Sequence, residues 1–183
     1  KWFSSSKLDV IFNGITDINT VTLPDDDIIS AIFRFHSKGL KVIGTAGILT
    51  RRKGIDQILH LVAVEKGLAF VIFGKGKELP NLIRLSRKLK ITDRCLFCGF
   101  RGNAVDYFRS FDFFVMPSRS EGFGLALIEA VQQKVPVICS DIPVFNDLFN
   151  NEEVTFFKLD YLTSLTEALK SATETGYKKA DLA

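Results

Sequence analysis

Apolar residues come in short blocks along this chain, and the polar stretches between them carry a different period. Val42-Ile43, the run from Leu68 through Phe73, Phe113-Phe114-Val115-Met116 and Val137-Ile138-Cys139 are near-continuous and rich in β-branched and aromatic side chains. Such runs predict strands buried on both faces, as in a parallel sheet. Between them, Ile55, Ile58, Leu59, Leu61 and Val62 recur at helical spacing, and apolar Leu82, Leu85 and Leu89 oppose basic Arg84, Arg87, Lys88 and Lys90. The pattern predicts strands over 41–46, 68–73, 95–100, 111–116, 135–139 and 154–159. It predicts helices over 25–35, 55–65, 78–90, 104–110, 142–149 and 164–175, with a further strand over 7–15 that ends in the turn signal Asn13-Gly14.

Six strands alternating with helices after Gly39 read as an α/β protein: a single doubly wound, Rossmann-like domain of about six parallel strands with right-handed crossovers. Residues 1–39 read as a linker with an entry strand and helix, and 40–183 as the domain proper. Ligands of such a sheet lie outside the carboxyl ends of its strands.

Composition narrows the function classes only a little. The 183 residues are 46% hydrophobic and 25% charged, as expected of one globular domain. A formal charge of +3 neither demands nucleic acid nor excludes an anionic ligand. No apolar run approaches the roughly 20 residues of a membrane span. The chain opens on Lys1-Trp2-Phe3 with no initiator methionine, which reads as a piece of a longer protein. Cys95 and Cys98 have CxxC spacing, but His36 and His60 are the only histidines and lie far away in sequence, so a zinc site lacks ligands. A redox CxxC sits at a helix N-terminus, whereas this pair falls in a predicted strand. Buried, reduced thiols are the expectation for Cys95, Cys98 and Cys139, which suits a cytoplasmic protein.

The segment 118–130, Ser-Arg-Ser-Glu-Gly-Phe-Gly-Leu-Ala-Leu-Ile-Glu-Ala, concentrates the candidate chemistry. It follows one predicted strand and precedes another, and Gly122 and Gly124 permit close backbone approach. With a helix starting near Gly122, Glu121 and Glu129 stand about 12 Å apart along its axis and within about 80° of each other around it. Backbone N–H groups between them suit a phosphate, so a ligand with hydroxyls at both ends and phosphates in the middle fits: a nucleotide sugar. The plain alternative makes Glu129 a surface residue and Glu121 a partner of the helix dipole. Arg51-Arg52-Lys53-Gly54 sits at the carboxyl end of another strand, where cations can neutralise a diphosphate or simply be solvated. Gly74-Lys75-Gly76 has part of a dinucleotide fingerprint, but its third glycine and acidic residue are missing. The basic helix 84–90 has few aromatics, so a solvated face is favoured over membrane contact.

These segments, taken in order, resemble the C-terminal, donor-binding half of a retaining glycosyltransferase of the GT-B fold, from the group 1 family that serves bacterial O-antigen and capsule assembly. Asn13-Gly14-Ile15-Thr16-Asp17 resembles the linker into the second domain, and Gly47 through Lys53-Gly54 the phosphate loop. Phe73-Gly74-Lys75-Gly76 matches the Gly-x-Gly after the second strand, and Gly99-Phe100-Arg101 the loop beside the base. Pro117 through Glu129 matches the motif of two glutamates with seven residues between them, and Ser140-Asp141-Ile142-Pro143 the loop that follows. The resemblance implies that Glu121 contacts the donor hexose near its anomeric carbon and that Lys53 pairs with the β-phosphate. It implies donor contacts from Arg52, Gly74 and Gly122, and diphosphate or sugar contacts from the backbone of Phe123, Gly124 and Leu125. Glu129 would accept from ribose hydroxyls and Arg101 would flank the base. No metal or other cofactor is implied. Partners would be a nucleotide-sugar donor, UDP-linked by preference, the N-terminal acceptor domain of the same protein, and a lipid-linked acceptor. The site of action would be cytoplasmic, at the inner face of the bacterial membrane, and no nucleic acid is involved. Ile48 departs from the arginine usual at its position, and Arg51 or Arg52 would have to compensate. Two other readings stand beside this one: a non-catalytic nucleotide-sugar binding module, and a sugar-nucleotide epimerase of similar fold.

Overall fold

A computed structural model of the chain describes residues 24 and 26–174. The strand expected over 7–15 and the linker motif 13–17 lie outside these residues. The elements are α1 (Asp27–Ser37), β1 (Lys41–Ala46), α2 (Ile55–Val64), β2 (Leu68–Phe73), α3 (Leu79–Lys88), β3 (Cys95–Gly99), β4 (Phe113–Met116), α4 (Leu125–Gln132), β5 (Val137–Ser140), α5 (Pro143–Leu148), β6 (Thr155–Phe157) and α6 (Leu162–Glu174). The six strands form one parallel sheet in the order β3-β2-β1-β4-β5-β6. That is a doubly wound topology whose strand order reverses between β1 and β4.

Side chains of one strand alternate between two cores. Val71 and Phe73 join a cluster with Ile28, Ile32, Tyr107, Phe108 and Leu127, which α1 and α4 cover. Phe70 and Ile72 join a cluster with Ile58, Leu59, Leu82 and Leu165, which α2, α3 and α6 cover. Both faces of the central strands are therefore buried, which is why their sequences read as unbroken apolar runs. Helix α1 belongs to this packing, since its Ile28, Ile29 and Ile32 lie in the first cluster. Its N-cap Asp26 accepts the amides of Ile28 and Ile29 and also the Tyr107 hydroxyl.

Four local readings need correction. Helix α4 begins at Leu125, not near Gly122, because Gly124 adopts the left-handed conformation at φ 84. A Cβ on Gly124 would also lie 2.7 Å from the Phe145 ring, so the position requires glycine twice over. The helix over 104–110 is a 3-10 helix. The strand expected from residue 135 starts at Val137, since Pro136 lacks an N–H and contributes only its carbonyl, to Phe114 N at 2.8 Å. Cys95 and Cys98 are half-buried rather than buried, because β3 is an edge strand. They do face opposite cores, and burial pushes each thiol up to about 12, far from thiolate chemistry at neutral pH.

Candidate functional site

The loops after β1, β2, β3 and β4 meet at the carboxyl edge of the sheet. After β1 the chain makes a 3-10 turn over Arg51–Lys53 and enters α2 through Gly54. After β4 it runs through Pro117 and Ser118 to Glu121 and on to α4. Lys53 and Glu121, one from each loop, form an ion pair. Glu121 is only 6% exposed and Lys53 16%. A charge that deep is tolerable only with its partner in place.

Arg119 fixes the two loops to each other. Its backbone N–H donates to the Arg52 carbonyl at 2.7 Å, and Nη1 donates to the Arg51 carbonyl at 2.9 Å. The guanidinium grips Asp56 of α2 through two bonds of 3.0 and 2.9 Å, and reaches Asp160 beyond β6 at 2.7 Å. Gln57 repeats the link, donating to the Pro117 carbonyl at 3.0 Å while accepting from Asp160 N at 2.9 Å. Ser140, at the end of β5, donates to the Ser118 carbonyl at 2.6 Å. Burial alone would raise the Asp56 carboxyl, but the bonds and charge of Arg119 outweigh it and hold Asp56 below the ordinary carboxylate range. The sequence pattern gave Arg119 no role. Its place two residues before Glu121 was visible, but its acidic partners are 63 and 41 residues away.

Beside the ion pair lies a cavity of about 400 Å³. Gly47 and Ile48 line it from the β1 loop, Gly74 and Lys75 from the β2 loop, Phe100 and Arg101 from the β3 loop, and Ala126 and Glu129 from α4. Gly74, at φ 143, brings the β2 loop so close to the β1 loop that a Cβ would lie 1.9 Å from the Gly47 carbonyl oxygen. Glu129 is half-buried in this apolar wall, and burial raises its carboxyl above the ordinary glutamate range. The Lys75 ammonium stands 5.1 Å from the centroid of the Phe100 ring.

The candidate residues thus divide. Gly74, Arg101 and Glu129 share the cavity, and Lys53 and Glu121 pair with each other. Gly124 caps α4, Leu125 opens it, and the helix leaves the Leu125 and Ala126 amides without intrahelical acceptors, while Leu127 N donates to the Gly124 carbonyl at 2.9 Å. Gly122 and Phe123 lie on the loop between Glu121 and that cap and do not line the cavity, and the Arg52 side chain is exposed. Arg51 lines a separate cavity of about 310 Å³ with Thr50, Asp56, Glu78 and Asn81. The described residues contain no group of three or more His, Cys, Asp or Glu placed to hold a metal ion. No helix among them is long and apolar enough to cross a membrane.

Comparison with known proteins places this geometry among relatives. The profile of the family described as "Glycosyl transferases group 1" matches residues 29–182. The O-antigen biosynthesis glycosyltransferase WclY of Escherichia coli is 34% identical over 167 residues, spanning 85% of this chain and 44% of WclY. The lipopolysaccharide core biosynthesis mannosyltransferase LpsB of Rhizobium meliloti (strain 1021) is 32% identical over 117 residues, 59% of this chain and 33% of LpsB. Among solved structures, Anabaena HepE in complex with UDP and glucose superposes with a TM-score of 0.79 at 21% identity, over 94% of this chain and 49% of HepE. WaaG, a glycosyltransferase involved in lipopolysaccharide biosynthesis, superposes with a TM-score of 0.70 at 18% identity, over 87% of this chain and 45% of WaaG. The chain spans less than half the length of these relatives.

Proposed function

The chain belongs to the group 1 glycosyl transferases, and from that premise we propose that it is the donor-binding half of a sugar-nucleotide-dependent hexosyl- or N-acetylhexosaminyltransferase of bacterial surface polysaccharide assembly. The observation that carries the reading is the crevice itself. An acceptor carboxylate, Glu129, and a donor guanidinium, Arg101, share one cavity, and the partly buried Lys53–Glu121 pair stands beside it, with the Lys53 side chain against Gly47 of the cavity wall. A nucleotide sugar laid along that crevice sets its base by Arg101, its ribose hydroxyls on Glu129 and its β-phosphate on Lys53. The hexose then meets Glu121. The exposed amides at the start of α4 supply further donors to the diphosphate.

Each role follows from charge. Departure of a nucleoside diphosphate builds negative charge on the β-phosphate, and Lys53 stabilises that charge where it develops. The first-turn amides of α4 add to it, so the proposal calls for no metal. Glu121 holds hexose hydroxyls and orients the anomeric carbon, and the anomeric configuration is retained. UDP is the favoured nucleotide, in keeping with the UDP held by the structurally similar HepE. The acceptor is a lipid-linked saccharide at the cytoplasmic membrane face, held by the acceptor half of the same protein. Relatives that serve O-antigen and lipopolysaccharide synthesis support this setting.

Calorimetric titration of the chain with UDP tests the assignment. Binding is expected at millimolar concentration or better, and Lys53→Ala and Glu129→Gln should each weaken it about tenfold, the worth of one charge-assisted hydrogen bond. Unchanged affinity in both variants refutes the donor site as drawn.

A further inference from the structure

Position 75 is the open x of the Gly-x-Gly motif, and neither the resemblance nor the roles above use its side chain. The structure gives it a definite place. Sheet order sets the sequence of loops along the crevice: Glu121 after β4, Ile48 after β1, Lys75 after β2, and Phe100 and Arg101 after β3. At about 4.8 Å per strand, the path from β4 to β3 covers roughly 14 Å. The Lys53–Glu121 pair bridges the β1 and β4 loops, so a nucleotide whose phosphates lie there presents its base toward the β3 end.

Lys75 is fixed at that end. Its carbonyl accepts from Leu49 N at 2.9 Å, and the preceding Gly74 N donates to the Gly99 carbonyl at 2.7 Å. Its ammonium lies over the face of Phe100, the residue before Arg101, and so is drawn toward β3 rather than toward Lys53. The arginine usual on the β1 loop is replaced by Ile48, 67% exposed on the same cavity. Arg51 lines the other cavity. Among the described residues, Lys75 and Arg101 are therefore the two cations on the wall of this cavity, and they come from its β2 and β3 loops.

An ammonium and a guanidinium carry hydrogen-bond donors and no acceptor. Uracil and guanine offer an exocyclic oxygen at the edge where cytosine and adenine offer an amino group. Two donor-only side chains match the first pair and oppose the second. We infer that Lys75 reads the nucleobase and selects nucleoside diphosphates with an oxo-substituted base. The inference rests on the donor-site reading above.

Lys75→Met keeps an unbranched side chain of similar length and removes the charge and its N–H donors. Titrations of the unaltered chain and of this variant with UDP, GDP, CDP and ADP separate the possibilities. UDP and GDP should bind at least about tenfold more tightly than CDP and ADP, and Lys75→Met should narrow that preference by about tenfold through weakening the first two alone, since each tenfold step is one charge-assisted hydrogen bond. Equal loss for all four nucleotides makes Lys75 a phosphate contact and overturns the inference. So does no loss for any of them. These outcomes leave the donor site standing if Lys53→Ala and Glu129→Gln still weaken UDP. Failure of all four nucleotides to bind the unaltered chain removes the donor site and the base reading together.

Discussion

Lys53 and Glu121 are bonded to each other, yet the proposed chemistry asks each for a different partner. A diphosphate must draw Lys53 away from a carboxylate that also repels it. Glu121→Gln should then tighten UDP by about fivefold, near 1 kcal/mol, by freeing Lys53 and removing a like charge. The same variant should not tighten a UDP-hexose to the same degree, because the hexose loses its acceptor. Calorimetry on the two ligands gives the ratio, and equal gains would remove Glu121 from the sugar. Glu129 makes a second prediction, in pH. Its folded-state pKa is raised by burial, and ribose hydroxyls need the ionised form as acceptor. Donor affinity should fall with acidification through that raised pKa, at a pH above the ordinary glutamate range, and Glu129→Gln should flatten this limb. The sign is opposite for stability: ionisation of Glu129 in its apolar wall costs the folded state as pH rises.

At the scale of elements, the site depends on loops tied to one another rather than on any one helix or strand. Arg119 joins the Lys53 turn, α2, the Glu121 loop and the segment after β6. Arg119→Met leaves Asp56 without its bidentate partner. It should cost about 2 kcal/mol after discounting for solvent at the half-exposed Asp160, and lower Tm by roughly 4–8 °C for a chain this long. Arg119→Lys should recover little, since an ammonium cannot fork to two carboxylates. Because the folded Asp56 pKa is depressed, this contribution is present above the ordinary carboxylate pKa and is lost as pH falls through the lowered value. Thermal unfolding of both variants across acid pH checks it. Strands β1 and β2 were legible to the residue, because apolar runs bounded by glycines leave no other period. The start of α4 was not. A helix starting near Gly122 was the expectation, while Gly124 and the Arg119 bonds to the neighbouring turn hold that stretch in a loop. Glu121 and Glu129 are therefore set by two elements, and the helical spacing drawn between them does not apply. Lys53–Glu121 and Arg119–Asp56 could not be read either, since local periodicity carries no information about which loops meet across 60-odd residues.

For the whole molecule, six parallel strands and two cores make a platform with a crevice where the strand order reverses. Membership in the glycosyl transferase group 1 family fits that platform, and the relatives it matches are about twice its length. The proposed division of labour gives donor binding to this half, with acceptor binding on the other side of the cleft. The central claim is that the cavity between the β1, β2 and β3 loops and α4 holds the nucleotide. Amide NMR of the chain titrated with UDP tests it residue by residue. Saturating shifts are expected at Gly47, Gly74, Lys75, Arg101 and the first turn of α4, with Thr50, Glu78 and Asn81 of the other cavity unmoved. Shifts confined to Thr50, Glu78 and Asn81, or none at millimolar UDP, would contradict it.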